Sequence, residues 1–280
     1  MERYVDSRRV GDATVTIICD GMLRWAPQLS APEAEWRRAM PEADQAGALT
    51  FPMNLAHVRV PSERGDASVL VDLGFDEPTP SSHWPSADRS PGLIAGLASI
   101  GVAPTDVTHV LITHPHGDHI AGATVERGGR RVARFPNARH LIGRADFDAA
   151  ARAEPGSMAA QELGSLREQG LLAPAEAEQE VVPGVALVHA PGETAGHSIA
   201  RVRSGGESFY FLGDLFHHPC EVEHPDWISP GRDRAAMRAS RERLIEAALA
   251  ENALLVFTHG RFPGWGRLAR SGAGARWVWD

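Results

Sequence analysis

Short runs of apolar and β-branched residues recur along the chain, separated by clusters of Gly, Pro, Asp and Ser. Such runs predict β-strands bounded by turns. The predicted strands are 13–19, 55–60, 67–71, 107–113, 140–142, 185–189, 208–212 and 254–258. The run 107–113 is largely apolar or β-branched, which is typical of a strand that is covered on both faces.

Three stretches between these strands have helical composition. The predicted helices span 92–100, 146–170 and 232–251. Ser90 and Pro91 suit the start of the first helix, with serine as the cap and proline in the first turn. Pro155-Gly156 should interrupt the second helix, and the proline- and serine-rich residues 76–91 should form a loop. This alternation of strands and helices predicts an α/β layer fold.

Residues 22–53 stand apart from this pattern. They follow a predicted turn at Asp20-Gly21, contain several prolines and include a short helical pattern around Trp36 and Met40. We predict that the segment is an insertion that forms a lid or a dimer contact. The alternative is a surface helix that one tryptophan fastens to the domain.

Four potential metal ligands lie together directly after the strand 107–113. The segment His114-Pro-His-Gly-Asp-His119 places three histidines and one aspartate within six residues. Its proline and glycine spacers favour neither a strand nor a helix, so the side chains should converge on one small volume. Imidazole nitrogen suits zinc and iron, and a carboxylate can complete the ligand set. Unrelated surface histidines would rarely cluster in this way.

Further ligands are expected at other strand ends, because one loop cannot complete two metal sites. The glycine-rich loop 190–197 follows one strand and contains Glu193 and His197. Asp214 follows the strand 208–212, and His259 follows the last strand. The carboxyl ends of strands are where open α/β sheets hold ligands.

These motifs together resemble the metallo-β-lactamase superfamily. The segment His114 to His119 is similar to its H-x-H-x-D-H signature, and 192–197 is similar to its second histidine loop. Asp214 and His259 occupy the places of its bridging aspartate and last histidine. The resemblance extends from about residue 13 to the end of the chain. It implies an α/β fold of the four-layer αββα sandwich type, formed by one domain over residues 1–280.

The resemblance also implies a role for each motif residue. His114, His116 and His197 would hold the first metal; Asp118, His119 and His259 would hold the second; Asp214 would bridge them. The cofactors would be two divalent metal ions, with zinc expected. A hydroxide between metals about 3.5–4 Å apart would be the nucleophile. The implied catalytic residues are Asp118, which would orient the hydroxide, and Asp214.

One departure from the family pattern lies beside these ligands. Many members have a histidine where this chain has Glu193, and we expect Glu193 to form hydrogen bonds near the site without binding metal. Asp72 resembles a D-x-G turn that orders the metal loop, although it and Asp20 are also ordinary turn residues.

The remaining histidines, the cysteines and the large aromatic residues divide into pocket candidates and structural residues. Candidates for lining a substrate pocket are His217, His218 and His224. His109 and His189 are expected to be structural, and Cys220 is not expected to bind metal. Candidates for an aromatic pocket wall are Trp25, Trp36, Phe51, Trp227, Phe262 and Trp265. A mixed wall of this kind suits a partly apolar substrate.

Charge and composition narrow the partners. The chain has 28 basic and 36 acidic residues and a formal charge of −8, which disfavours nucleic acid as a partner because phosphates require a basic face. Its two cysteines imply no disulfide framework. The N-terminal residues lack the apolar core of a signal peptide. No apolar run reaches the roughly 20 residues that span a bilayer. We therefore expect a cytoplasmic protein without a membrane partner.

Within the superfamily, the chain looks like the branch of N-acyl-homoserine lactonases and methyl-parathion-hydrolase-like enzymes. The resembling segments are 15–21, the insertion, 51–54 and 262–266. A metal-dependent hydrolase that opens a lactone or similar small ester is the first hypothesis, because that reaction requires no additional charged clamp. This branch connects the chain with quorum quenching, and a homodimer is left open.

Two alternatives remain. The first is hydrolysis of phosphotriesters or phosphodiesters with the same metals. The second, from another class, is a mononuclear iron dioxygenase that uses the same ligands. β-Lactamase activity is less favoured because no export signal is visible.

Overall fold

The chain is rich in strands. The computed structural model describes residues 4–61, 65–75, 92–272 and 274–280. The strands are β1 (Val5–Val10), β2 (Ala13–Trp25), β3 (Leu49–Val60), β4 (Ala67–Val71), β5 (His109–Ile112), β6 (Thr124–Arg127), β7 (Arg130–Ala133), β8 (Arg139–Gly143), β9 (Leu172–Ala175), β10 (Glu178–Val182), β11 (Val185–His189), β12 (Ser198–Ser204), β13 (Glu207–Phe211), β14 (Leu254–Val256), β15 (Gly266–Ser271) and β16 (Gly274–Trp279). Every predicted strand corresponds to one of these elements.

Helices lie between the strands. They are α1 (Glu33–Ala39), α2 (Leu93–Ser99), α3 (Gly117–Ile120), α4 (Arg144–Ala150), α5 (Met158–Glu168), α6 (Cys220–Glu223) and α7 (Arg234–Glu251). The predicted interruption at Pro155-Gly156 is confirmed, since it separates α4 from α5. The predicted loop 76–91, with the helix start at Ser90-Pro91, lies outside the described residues.

Two seven-stranded sheets face each other. The first has the order β1-β2-β3-β4-β5-β8-β9, and the second runs β10 to β16 in chain order. Their inner faces share one apolar core, to which the first sheet contributes Val58 and Leu111 and the second contributes Phe209, Phe211 and Val256. Burial of this apolar area is the main favourable contribution to the stability of such a sandwich.

Helices cover the two outer faces. Leu97 of α2 and Leu163 of α5 pack with Leu70 on the outside of the first sheet. Leu244 and Ile245 of α7 belong to the corresponding core outside the second sheet. The predicted four-layer αββα sandwich is therefore confirmed. No helix in the described part of the chain is both long and apolar enough to span a membrane.

The turn predicted at Asp20-Gly21 is wrong. β2 continues to Trp25, and its register with β3 shifts between Cys19 and Met22. The buried Asp20 carboxylate is satisfied there because it accepts backbone hydrogen bonds from Phe75 at 2.8 Å and Leu93 at 2.7 Å. A bulge thus accommodates the polar residues inside a long strand.

Residues 22–53 extend the β2–β3 hairpin, with α1 at its tip. Leu23 pairs with Phe51, and Trp25 pairs with Leu49. This segment shares a small apolar core with Cys220 at the start of α6, so it is anchored to that helix. Whether it is a lid or a dimer contact stays a prediction.

The predicted site residues all lie at one edge of the sandwich. Asp72 follows β4, the histidine cluster follows β5, and Asp214 follows β13. The Ser198 N–H donates to the Thr113 carbonyl at 2.9 Å, which ties the two sheets together at this edge. At Gly213, whose φ is +51°, a Cβ would come within 2.9 Å of Thr113. Glycine therefore permits the turn that brings Asp214 toward the histidines.

Candidate metal centre

The histidine cluster forms a tight turn after β5. Its last residues form α3, a helix of only one turn, so that Asp118 and His119 lie beside His114 and His116. The His114 and His119 side chains are fully buried, whereas 38% of the His116 side chain is exposed. His114 Nε2 lies 2.9 Å from His116 Nδ1. The cluster thus converges, as its spacing predicts.

Four candidate ligand atoms surround one point, and Asp214 Oδ1 is one of them. His259 Nε2 lies 3.3 Å from Asp118 Oδ2 and 3.4 Å from Asp214 Oδ1. His119 Nε2 lies 3.6 Å from the same Asp118 oxygen and 3.4 Å from the same Asp214 oxygen. Tetrahedral zinc with bonds of about 2.0–2.1 Å separates its ligands by about 3.3 Å. These four residues, called the His259 group below, therefore fit one divalent metal.

A second set lies on the other side of Asp214. His114 Nε2 is 3.6 Å from Asp214 Oδ2, and His116 Nδ1 is 3.3 Å from Glu193 Oε1. Ligand atoms of these four residues all lie within 4.8 Å of one another. We call His114, His116, Asp214 and the adjacent His197 the His114 group, and Glu193 lies in contact with it. This group can also surround one metal.

His197 lies beside this second set with both ring nitrogens occupied. Nδ1 donates to the Ala190 carbonyl at 2.9 Å, and Nε2 accepts from the Asp214 N–H at 3.2 Å. The His197 ring centre lies 5.2 Å from that of His114. His197 therefore reaches the site, although Glu193 rather than His197 completes the compact set of ligand atoms. Metal binding by His197 stays a prediction.

Two orphaned atoms support the presence of a cation in the His259 group. Within the described residues, His119 Nε2 and Asp214 Oδ1 are buried without a hydrogen-bond partner. Burial lowers the pKa of His259, but the carboxylates of Asp214 and Asp118 outweigh burial and raise that pKa to about 10. This position thus favours positive charge, which a metal ion supplies in place of protons.

The imidazoles of His114, His116 and His197 are neutral, as metal ligands must be. Burial lowers the pKa of His119, but the carboxylates of Asp214, Asp118 and Asp72 outweigh burial and raise that pKa well above its usual range, as the first two do at His259. Burial lowers the pKa of His197 to about 4. Burial and the neighbouring His119 and His116 rings hold the pKa of His114 well below its usual range. Burial would raise the pKa of Asp214, but the surrounding histidines hold it well below the usual range. Neutral nitrogen donors thus face an ionised carboxylate.

Asp72 orients the cluster from beneath. Its Oδ2 accepts from His119 Nδ1 at 2.8 Å and from the Thr113 hydroxyl at 2.9 Å. Its Oδ1 accepts from the Thr113 N–H at 2.7 Å. Because Nδ1 donates to Asp72, His119 Nε2 faces the His259 group and can bind a metal there in place of a proton. Asp72 is therefore more than a turn residue.

A cavity of about 300 Å³ opens above both groups. Its lining residues are Leu23, Trp25, Phe51, His116, Gly117, Asp118, Glu193, Asp214, His217, Arg232 and His259. This volume is at the lower end of the range for small-molecule sites. One face of the cavity is apolar and the other holds the candidate ligands.

The predicted pocket histidines separate in the structure. His217 lines the cavity, with Nε2 3.3 Å from Asp214 Oδ2. His218 bonds Glu42 at 2.8 Å, and His224 stacks on Trp227 with ring centres 3.9 Å apart. His218 and His224 therefore lie outside this cavity.

The other residues singled out in the sequence lie partly at the cavity and partly away from it. Trp25 and Phe51 line the cavity, whereas its described lining does not include Trp36, Trp227, Phe262 or Trp265. His109 bonds Thr108 at 3.0 Å and His189 bonds the Ala195 carbonyl at 2.9 Å, so both are satisfied away from the ligands. Burial raises the pKa of the Cys220 thiol, which makes it a poor ligand.

Sequence reasoning missed Arg232. Its guanidinium lines the cavity and Nε donates to Glu193 Oε2 at 2.6 Å. Arg232 belongs to no motif and precedes α7, so only the backbone path brings it to the site. An arginine just ahead of a helix that follows the ligand loops is the sole signal that the sequence offers.

The chain is similar to proteins of one known family. A family model described as the metallo-beta-lactamase superfamily matches residues 62–259. An N-acyl homoserine lactonase from a Bacillus species is 26% identical over a 212-position alignment that covers 70% of this chain and 78% of that relative. An N-acyl homoserine lactonase from Bacillus cereus is 23% identical over 79% of this chain and 89% of its own length.

Solved structures share the fold. One is the dizinc quorum-quenching lactonase AidC in complex with a product, N-hexanoyl-L-homoserine. It has a TM-score of 0.79 and 22% identity, and the match covers 99% of this chain and 97% of that one. The hydrolase AbOPH of the beta-lactamase superfamily has a TM-score of 0.80 and 19% identity, covering 100% of this chain and 98% of its own.

Proposed function

The chain belongs to the metallo-beta-lactamase superfamily and is a metal-dependent hydrolase of the lactonase type, and from that premise we propose that two zinc ions serve it in opening a lactone or similar small ester. The observation that carries the proposal is Asp214. Its two oxygens face different sets of histidines, Oδ1 toward His119 and His259 and Oδ2 toward His114. A carboxylate so placed is suited to hold two metals at once.

The residues that would hold the metals are those of the two groups. Asp118, His119 and His259 would hold one ion, His114, His116 and His197 would hold the other, and Asp214 would be a ligand of both. Two zinc ions bound there would supply a hydroxide nucleophile near neutral pH and polarise the carbonyl oxygen under attack.

The protein's own groups orient the attacking water and exclude bulk water. Burial would raise the pKa of Asp118, but His119 and His259 lower it, so the carboxylate is ionised and can orient the attacking water. Leu23, Trp25 and Phe51 cover the opposite side of the cavity and limit access of bulk water. The carboxylate that orients water and the apolar side chains that exclude bulk water therefore lie in the same small cavity.

A lactone suits this cavity better than a long polymer. The volume of about 300 Å³ admits a small ring, and the Trp25 and Phe51 rings, with centres 6.0 Å apart, offer an apolar wall. The likeness to N-acyl homoserine lactonases over most of the chain favours the same substrate class. We therefore propose a role in quorum quenching.

Phosphoester hydrolysis is the second candidate, and Arg232 favours it. Its guanidinium lines the cavity and offers the charged clamp that a phosphoryl group requires. Arginine is well suited to phosphoryl oxygens. The same metals would serve both reactions.

One experiment separates these candidates. We would measure metals per chain by plasma mass spectrometry and then compare kcat/KM on acylated and plain lactones with aryl phosphodiesters and phosphotriesters. The proposal expects two zinc ions per chain and a preference for lactones. Metal-loaded protein that opened no lactone would contradict it. One iron per chain with oxygen consumption on a persulfide would instead indicate the dioxygenase.

We further propose one domain over residues 1–280, with the 22–53 segment as a lid, in a cytoplasmic protein. Leu23, Trp25 and Phe51 of the segment line the cavity, which supports a lid. Cys19 and Cys220 are both free and buried, which suits a reducing compartment. Light scattering would show whether the protein forms a homodimer.

A further inference from the structure

Arg232 and Glu193 form a charged pair inside the cavity. Arg232 Nε donates to Glu193 Oε2 at 2.6 Å, and Nη2 forms an ion pair with Oε1. One hydrogen bond and one ion-pair contact thus hold the guanidinium against the carboxylate. The Glu193 side chain is only 1% exposed, whereas 27% of the Arg232 side chain is exposed. The carboxylate is buried support, and the guanidinium is the accessible partner.

The backbone fixes the position of this pair. The Asp233 N–H donates to the Gly192 carbonyl at 3.1 Å, so the residues beside Arg232 and Glu193 are bonded directly. A Cβ on Gly192 would lie 2.3 Å from the Met237 Cα, so only glycine lets the loop approach α7 this closely. The pair thus sits at a rigid junction.

The same carboxylate connects the guanidinium to the candidate ligands. Glu193 Oε1 lies 3.3 Å from His116 Nδ1. Arg232 is therefore one side chain away from the His114 group, and it lines the same cavity as Asp118 and Asp214. A substrate whose ester reacts at the metals would place its neighbouring atoms near the guanidinium.

Donors remain available on Arg232. The pair uses the Nε proton in a hydrogen bond and keeps Nη2 in ion-pair contact. Within the described part of the chain, Nη1 makes no hydrogen bond to protein. An exposed guanidinium edge next to a reaction site is suited to bind an oxygen acceptor.

We propose that Arg232 determines specificity by binding a non-reacting carbonyl or carboxylate oxygen next to the scissile ester, and that Glu193 is the residue that positions it. The inference rests on the proposed function for the identity of the ester. It predicts selectivity between two esters that differ only in whether they bear that oxygen.

The test compares a γ-lactone bearing an acylamino group with the unsubstituted γ-lactone. Arg232→Met should raise KM for the acylamino lactone at least about tenfold, because a hydrogen bond to a charged group is lost. Its kcat should stay near the wild-type value, and kinetics on the unsubstituted lactone should change by less than about twofold. Arg238→Gln, which breaks an exposed arginine–glutamate pair elsewhere, is the matched control and should change neither.

Two further variants separate positioning from folding. Arg232→Met with Glu193→Met removes both charges and should show the same selective loss, since no buried carboxylate is left unpaired. Glu193→Gln should give a smaller loss with the same selectivity. Equal losses on both lactones, or no loss, would overturn the proposal. A γ-lactone with a ring carboxylate in place of the acylamino group shows whether an amide oxygen or a carboxylate is preferred.

Equilibrium binding keeps this test independent of turnover. Calorimetry on metal-loaded protein should show that Arg232→Met weakens binding of N-hexanoyl-homoserine at least about tenfold but leaves 4-hydroxybutyrate unchanged. If the wild type opens no lactone but this difference persists, the proposed function fails and the inference stands. If lactones are opened but binding ignores Arg232, the inference alone fails.

Discussion

The two ligand groups share Asp214 but differ in how far they are prepared for a metal. In the His259 group, Asp118, His119 and His259 already surround one point at tetrahedral spacing. In the His114 group, His197 is bonded to backbone on both nitrogens, and the adjacent Glu193 accepts a hydrogen bond from Arg232. One group is arranged for a metal before it binds.

The difference has a physical origin. Asp72 directs His119 toward the His259 group from outside, whereas no carboxylate directs His197 in this way, because its Nδ1 donates to a backbone carbonyl. A metal in the His114 group must displace the contact between His197 and the Asp214 N–H. We therefore expect the His259 group to bind its metal more tightly. Stepwise removal with a chelator should release one ion well before the other.

Replacing the shared residue should have the largest effect. Asp214→Ala removes a ligand from both groups, so both metals should be lost and kcat/KM should fall by at least about a thousandfold. Metal analysis beside kinetics checks this. Asp148→Ala, which alters an exposed aspartate, is the control. An Asp214→Ala protein with two metals and full activity would show that no bridge exists.

Replacing one histidine in each group should reveal the asymmetry. His259→Ala should lose the tighter ion and His197→Ala the weaker one, each leaving about one metal per chain. Calorimetric titration of both variants with metal measures the affinity for the ion that each variant retains. If the two variants kept ions of equal affinity, the comparison between the groups would be wrong.

Replacing Asp72, which supports the His259 group, should reduce metal affinity less than replacing a ligand does. Asp72→Asn weakens the hydrogen bond that orients His119, so affinity at that group should fall about ten- to hundredfold. The ion in the His114 group should be unaffected, which competition with a fluorescent chelator would resolve. Loss from both groups alike would point to general unfolding, and circular dichroism would reveal it.

The smallest effect on metal content is expected at Glu193. Glu193→Ala should retain two ions per chain, because His197 rather than Glu193 is expected to complete the His114 group. Plasma mass spectrometry on the purified variant measures this directly. Retention of a single ion would make Glu193 a ligand and would reverse the roles assigned to Glu193 and His197.

Features that depend on neighbouring residues could be predicted from the sequence. Features that depend on contacts between residues far apart in the chain could not. The spacing of His114 to His119 indicates convergence by itself, because one turn after a strand holds all four side chains. The bulge at Asp20 could not be predicted, because its hydrogen-bond partners Phe75 and Leu93 are distant in sequence. Arg232 escaped notice for the same reason.

The most direct test of the central claim is anomalous diffraction from crystals of the zinc-loaded protein. The account predicts two anomalous peaks about 3.5–4 Å apart, with Asp214 contacting both. One peak should lie among Asp118, His119 and His259, and the other among His114, His116 and His197. A single peak, or two peaks without Asp214 between them, would contradict it.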